Sequence, residues 1–411
     1  MAKQTQKQDL LVGVDIGTSK IVVIVGEVID GNVHVIGIGS HPSTGLKRGV
    51  VVNIETTVAA IQKALEEAAL MAGCQIHSAF AGIAGSHIRS FNSNGIVAIQ
   101  GGEVSQADVN HVVEAAKAVA IPADQKVLHI LPQEFIVDGE PGIKDPVGMS
   151  GVRLEAKVHI ITGAVSSAQN IIKCVRRCNI DASDIILEPL ASSYAVLTED
   201  EKELGVALID IGCGTTDLAV FTKNAIRHSA VIPIAGQQVT NDIAIALRTP
   251  AKYAEKIKLQ HGCALLDMVS ANDIFEVPGV GHRNGQKIAR QTLAEVCGPR
   301  YEELFELVKK EMRRAGIEDL IPAGIVLTGG GSKIEGGVEL AEKVFRAPVR
   351  VGVPESVTGL ADVVRNPIYA TGIGLLRYAH EQYVQGNTPK LHKNIGLRSI
   401  FGRMRGWFKI F

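Results

Sequence analysis

Two stretches of the chain carry the same hydrophobic pattern. At 10–20 (LLVGVDIGTSK) and again at 205–217 (GVALIDIGCGTTD), an apolar run ends in Asp-Ile-Gly and passes into small, hydroxyl-bearing residues. Short apolar runs bounded by turn residues read as buried strands. After each, an apolar strand resumes at 21–25 or 218–221, turns at Asp30-Gly31-Asn32 or Lys223-Asn224, and continues into another strand. Helical spacing follows at comparable distances. Val58, Ile61, Leu65, Ala68 and Met71 recur three or four apart before Gly73, which predicts a helix with a glycine cap, and 240–247 takes the matching place in the second copy. Two related α/β halves are the simplest account.

Between 86 and 163 the pattern changes to short strands around one helix. That helix opens with a Ser105-x-x-Asp108 capping box and presents Val109, Val112, Val113 and Ala116 on one face. Alternation at 127–137 and 154–162 predicts strands, joined by a turn-rich loop through Gly139, Pro141, Pro146 and Gly148. Helical patterns mixed with a glycine-rich loop at 278–285 mark a further insertion at 243–303. The division expected is therefore 1–85 with 164–196 as the first core, 86–163 as an inserted subdomain, and 197–242 with 304–384 as the second core. The insertion 243–303, a linker at 385–394 and a terminal helix at 395–411 complete it.

Composition narrows the class. At 411 residues, 46% hydrophobic and 21% charged, the chain can fill more than one core and does not fit a disordered or fibrous class. A net charge of -1 gives no global attraction to nucleic acid, so a nucleic-acid partner is not expected. Residues 1–9 are polar and resemble no secretory signal, and no run approaches the ~18 apolar residues of a spanning helix, which places the bulk of the chain in the cytoplasm. Cys74, Cys174, Cys178, Cys213, Cys263 and Cys297 lack C-x-x-C spacing, against a disulfide framework or a zinc site.

The candidate chemistry lies where the repeated strands end. A strand ending in Asp and turning through Gly and Thr presents backbone N–H groups and hydroxyls to an anion, with a carboxylate beside them for a hydrated metal. Nucleotide phosphates need both. A third loop, 325–337 (IVLTGGGSKIEGG), is an apolar strand ending in a glycine run, which lets the backbone lie against a base or ribose.

In this order the set resembles the superfamily of actin, the sugar kinases and the DnaK-type chaperones. Asp15 to Lys20 resembles the first phosphate loop, Asp210 to Asp217 the second, and Thr328 to Lys333 the adenosine loop. Two linking helices have counterparts at 188–197 (EPLASSYAVL) and 367–376 (PIYATGIGLL). The resemblance implies a ribonuclease H-like pair of α/β domains flanking an ATP cleft. It implies that Asp15 and Asp210 hold Mg²⁺ through its waters. It further implies that Gly17, Thr18, Ser19, Lys20, Gly212, Cys213, Gly214, Thr215 and Thr216 bind phosphates, and that Gly236, Gly329, Gly330, Gly331 and Lys333 complete the site. Glu255 and Lys258 match a Glu-x-x-Lys pair beside the adenine, although an i, i+3 pair on a solvated helix is the commoner meaning of that spacing. Glu188 stands where some filament-forming relatives carry the carboxylate that positions water, so it is the candidate general base, with Asp210 as a second catalytic candidate. A helix-initial acid that offsets the dipole is the plainer alternative. Cys213 departs from the usual glycine, but backbone N–H groups make that contact.

The end of the chain, 395–411 (IGLRSIFGRMRGWFKIF), aligns Leu397, Ile400, Phe401, Met404, Trp407, Phe408 and Phe411 on one helical face and Arg398, Arg403, Arg405 and Lys409 on the other. A basic amphipathic helix with the chain's one tryptophan suits the headgroup layer of an anionic membrane. With the insertion at 86–163 and segments such as LPQEF (131–135) and VGMSGVRLEA (147–156), this makes the whole chain similar to the FtsA family of bacterial cell division proteins. That resemblance implies head-to-tail filaments on the cytoplasmic face of the inner membrane at the septum. It also implies docking of the FtsZ C-terminal tail on 243–303, recruitment of other division proteins through 86–163, and slow or regulated ATP hydrolysis. A sugar or small-molecule kinase and a pilus-assembly scaffold are the alternatives; neither has an evident use for the terminal helix.

Overall fold

The computed structural model describes residues 10–278 and 285–384. The linker expected at 385–394, the helix expected at 395–411 and most of the glycine-rich loop at 278–285 lie outside the described residues. Two sheets with one strand plan form the centre. In the first half, Leu10–Ile16, Lys20–Ile29 and Asn32–Pro42 make an antiparallel meander; Ser78–Ile83 then joins parallel to Leu10–Ile16, and Asp181–Leu187 joins parallel to Ser78–Ile83. In the second half, Val206–Ile211, Thr216–Thr222 and Ala225–Ile232 repeat the meander, with Ile325–Thr328 and Val349–Val351 added parallel in the same positions. The duplicated α/β architecture read from the two motif copies is present strand for strand. The first sheet carries one addition, the two-residue strand Thr358–Gly359 along Asn32–Pro42.

Local sequence explains the matching turns. Asp30 and Gly31 (φ 50° and 78°) and Lys223 and Asn224 (φ 52° and 60°) take the left-handed conformation that a two-residue hairpin needs to follow the strand twist. Helix Ile54–Ala72 starts where the Asn53 side chain accepts from the Thr56 N–H at 3.1 Å, and it stops at Gly73 in the left-handed conformation. It buries Val58, Ile61, Leu65 and Ala68 against the sheet, but Met71, expected on that face, is 49% exposed. The buried stripe continues four residues on instead, with Ala72 against Gly37.

The inserted subdomain is a four-stranded sheet ordered Arg89–Ala98, Arg153–Ala164, Gln125–Val137 and Glu140–Ile143, packed against helix Gln106–Lys117 around its own core. The capping box is closed both ways, Asp108 N–H to Ser105 Oγ at 3.3 Å and Ser105 N–H to Asp108 Oδ2 at 2.9 Å. The loop expected after Val137 contains the strand Glu140–Ile143. Beyond the second meander come helices Gly236–Ala246 and Ala251–His261, the ribbon of Ile274–Val277 with Gln286–Ala289, and the long helix Arg290–Arg314. That helix runs unbroken through Pro299, so the division expected at 303/304 falls inside one element.

Helices Glu188–Val196 and Ala370–Val384 cross between the halves. Their backbones touch, since a Cβ on Gly374 would lie 1.9 Å from the Ala191 carbonyl oxygen. Small residues at the crossing are therefore a steric requirement. The apolar side chains of both helices belong to the first half's core, whereas the second half has a core of its own. Among the described residues no helix is long and apolar enough to cross a membrane.

Candidate functional site

The three strand-end loops open on one cleft of 660 Å³ between the halves. From the first half come Asp15, Gly17, Thr18, Ser19 and Lys20; from the second come Asp210, Gly212, Cys213, Gly214 and Thr215, with Gly329, Gly330, Gly331 and Lys333 behind them. The first two loops meet directly. A Cβ on Gly214 would stand 2.6 Å from Thr18 Oγ1, so no larger residue fits at this contact. Thr18 Oγ1 in turn accepts from the Gly49 N–H at 3.0 Å.

Backbone bonds set the shape of the second loop. Gly212 N–H donates to the Thr215 carbonyl at 3.0 Å, closing the turn, while the N–H groups of Gly236 and Gln237 donate to the carbonyls of Gly212 and Cys213 at 3.1 and 2.8 Å. Helix Gly236–Ala246 thus begins against the loop and fixes it. Lys258 Nζ ties the next helix to the same place, reaching the Gly236 carbonyl at 3.0 Å, Thr240 Oγ1 at 2.9 Å and Glu255 at 2.7 Å. The Glu255–Lys258 pair therefore lines the cleft, where the spacing alone favoured a solvated helix face.

Four carboxylates gather at the inner end: Asp15, Glu188, Asp210 and Asp217. The linking helices hold Asp210, with Ser192 Oγ donating to Oδ2 at 2.7 Å and Thr371 Oγ1 lying 3.5 Å from it. Burial raises the pKa of Asp210, and those hydroxyls partly offset the rise. Burial pushes Asp15 up to about 7, opposed by the Lys20 ammonium and reinforced by the charge of Asp210. It pushes Asp217 up to about 8, with Asp210 adding to it. Glu188 is held well above the usual carboxylate range by burial and then by Asp15, Asp217 and Asp210. Lys20 is lowered by burial, with Asp15 acting against the shift, and its Nζ lies 4.8 Å from the Tyr369 ring centroid. Four buried carboxyls gathered this closely raise one another's pKa, a setting suited to a cation.

One sequence expectation fails here. Thr216 is fully buried away from the cleft, its hydroxyl spent on the Ile234 carbonyl at 2.7 Å. Successive strand residues face opposite sides, so Thr216 turns into the core and Asp217 turns toward the cleft. Asp217 was the missed site residue, and the hairpin register carried the signal: it pairs directly with Asp210 and so shares its face. Its Oδ2 accepts from Thr215 Oγ1 at 3.1 Å, while its Oδ1 is buried with no partner. Arg290, Tyr301 and Ile368 also line the cleft, brought there by long-range packing that no local motif announces. Glu188 opens helix Glu188–Val196, so the dipole alternative holds as well, but the side chain lies in the cleft among the other acids.

Two half-sheets with one strand plan, joined by crossed helices and opening on a glycine-lined acidic cleft, define an actin-like protein. The structure is similar to that of a PilM-PilN type IV pilus biogenesis complex (TM-score 0.66, 16% identity, 89% of this chain and 97% of the other). It is also similar to MreB5 of Spiroplasma citri bound to ADP (TM-score 0.54, 14% identity, 89% and 94%). At those identities the likeness is one of fold. Sequence is more particular. A family model described as "Cell division protein FtsA" matches residues 207–374, and one described as "SHS2 domain inserted in FTSA" matches 85–162. The cell division protein FtsA of Pseudomonas aeruginosa is 64% identical over 382 residues, covering 93% of this chain and 92% of its own length. FtsA of Escherichia coli strain K12 is 46% identical over 419 residues, covering 100% and 99%. The chain belongs to the FtsA family of bacterial cell division proteins.

Proposed function

We propose that the cleft binds Mg²⁺-ATP and that the protein uses the bound nucleotide to assemble filaments on the cytoplasmic face of the inner membrane at the division septum. There it tethers FtsZ polymers and recruits later division proteins. The observation that carries this reading is the convergence of all three strand-end loops on one acidic, glycine-lined cleft in a chain of this family. In the proposed site, backbone N–H groups and hydroxyls of the 17–20 and 212–215 loops hold the phosphates, and Lys20 adds charge. The 329–331 glycines with Glu255 and Lys258 flank the nucleoside. Asp15 and Asp210 hold Mg²⁺ through its waters, a role that suits the surplus of buried carboxylate, including the orphaned Asp217 Oδ1. The metal supplies charge neutralisation at the phosphates.

For hydrolysis, Glu188 is the base. Burial and the neighbouring charges of Asp15, Asp217 and Asp210 hold its carboxyl well above the usual carboxylate range, which strengthens it as a proton acceptor. Turnover on this reading is slow or regulated. The segment 395–411 supplies membrane attachment through its apolar and basic faces, the surface 243–303 takes the FtsZ tail, and 86–163 takes other division partners.

Liposome pelleting tests this directly, using anionic vesicles, the full chain and a version ending at Asn394, each with and without Mg²⁺-ATP. The full chain is expected to pellet, more strongly with ATP, and the shortened one to stay in solution. Equal pelleting of the two removes the tether, and filaments that ignore ATP remove the nucleotide's role.

A further inference from the structure

The strand Gln125–Val137 of the inserted subdomain touches both halves of the molecule. Near its start His129, 4% exposed, accepts at Nε2 from the Leu187 N–H at 3.0 Å. An accepting Nε2 leaves the neutral ring's proton on Nδ1. Leu187 closes the edge strand of the first sheet, and the next residue is Glu188. Four residues after His129, Gln133 Nε2 donates to the Ile226 carbonyl at 2.8 Å and lies 3.2 Å from Asn92 Oδ1.

Gln133 belongs to a polar seam along Ala225–Ile232, the edge strand of the second sheet. Ser90 Oγ donates to the Ser229 carbonyl at 2.6 Å and Asn92 Nδ2 to the Arg227 carbonyl at 3.3 Å. His159, 1% exposed, spans Asn92 Oδ1 at 2.7 Å and Ser229 Oγ at 3.0 Å. Burial depresses the His159 pKa to about 3, so the ring is neutral and one nitrogen donates while the other accepts. Each bond lost here strands a buried polar group, so the seam resists sliding.

We propose that this strand couples the halves, with His129 as a positioning residue that fixes the backbone at Leu187 and hence the placement of Glu188. The inserted subdomain hangs covalently from the first half yet is bonded along the second. Any ligand or partner that shifts one half, or the subdomain itself, must therefore move the Leu187 tie or break the seam. Coupling of this kind is reciprocal, so a partner on the inserted subdomain alters the cleft as much as the cleft alters the partner's hold. What Glu188 does rests on the nucleotide reading; the mechanical link does not.

Amide hydrogen exchange on the full chain tests the link without nucleotide. The double variant Asn92→Ala/Gln133→Ala, which leaves His129 intact, should raise exchange at the Leu187 amide roughly tenfold while the second-half core strand Ile325–Thr328 keeps its protection. Loosened amides in Ala225–Ile232 with an unchanged Leu187 overturn the proposal, and so does a uniform rise that includes Ile325–Thr328. In a second pair, His129→Phe should expose Leu187 in the same way and His129→Gln, which keeps an acceptor, should restore it; identical behaviour of the two also overturns it. Adding Mg²⁺-ATP to the wild type separates the two readings. Loops 211–216 and 329–331 that do not respond count against nucleotide binding alone, because the nucleotide-free measurements decide the coupling.

Discussion

The hairpins at 10–29 and 206–222 share their register at the turn, Ile16 opposite Ile21 and Ile211 opposite Thr216, but they differ in the next cross-strand pair. Asp15 faces Val22 in the first, whereas Asp210 faces Asp217 in the second. Val22 is fully buried among aliphatic side chains, and Asp217 is buried with an unpartnered oxygen. The duplicated backbone thus supports unequal chemistry. The second half brings paired acids to the cleft on one hairpin, while the first hairpin brings one acid, Asp15, with the Lys20 ammonium, and the outermost parallel strand of that half leads to Glu188. Duplication supplied the scaffold, and single side chains on one face divided the labour.

The strongest way to break this comparison is to force the first hairpin to imitate the second. Val22→Asp places a second carboxylate opposite Asp15 in the hydrophobic core and should cost about 3–5 kcal/mol, read as a lower urea midpoint. Tolerance of the change would mean that the two faces are chemically alike. Next in size is the pH dependence of the nucleotide-free protein. Asp15 and Asp217 have folded pKa values of about 7 and about 8, above their ordinary 3.8. The folded state therefore holds protons that the unfolded state has released. That stability is fully present below pH 3.8 and is lost as pH rises from there through 7 and 8, so it is still falling between pH 6 and 8. Urea melts across that range should show the fall, and Asp217→Asn should flatten its upper limb. The seam has the opposite sign. The depressed His159 contributes stability that is present above pH 6.5 and lost as pH falls toward 3, so an Asn in its place should weaken the acid limb only.

Smaller effects sharpen the comparison at the helices that follow each meander. Asn53→Ala removes the side-chain cap of Ile54–Ala72 and should cost about 1 kcal/mol in thermal unfolding. The second-half helix starts at Ala235, which has no capping side chain, and relies on Gln238 Oε1 accepting from the Ala235 N–H at 3.0 Å. Gln238→Ala should cost less, about 0.5 kcal/mol. Equal losses would indicate that the two helix starts are held in the same way.

How much of this was legible depended on the range of the signal. Asp-Ile-Gly twice, followed by turn residues at the same offset, is local information, and it was enough for the duplicated fold and for most of the cleft. Thr216 was misplaced because the run Gly-Thr-Thr reads as a hydroxyl-rich loop, while strand alternation had already begun at its second threonine. Asp217 was overlooked for the same reason. Met71 was assigned to the buried face by three-residue spacing, one step before the helix's drift favours Ala72. The Gly298-Pro299 pair resembles a break, yet helix Arg290–Arg314 continues because packing along its length outweighs the lost backbone bond. His129 and Gln133 look like ordinary polar residues in a strand, and only the docking of one subdomain across two others gives them partners.

The contact of Gly374 with the Ala191 carbonyl has a mechanical consequence. Backbone rests on backbone there, and the same two helices are locked by Tyr194 edge-on to Tyr378, ring centroids 5.7 Å apart, and by Ser192 Oγ 3.0 Å from Thr371 Oγ1, so the crossing is a tight joint with no spare volume. A bulky residue at 374 would drive the two helices apart and loosen that joint, with Ser192 and its hold on Asp210 the first to feel it.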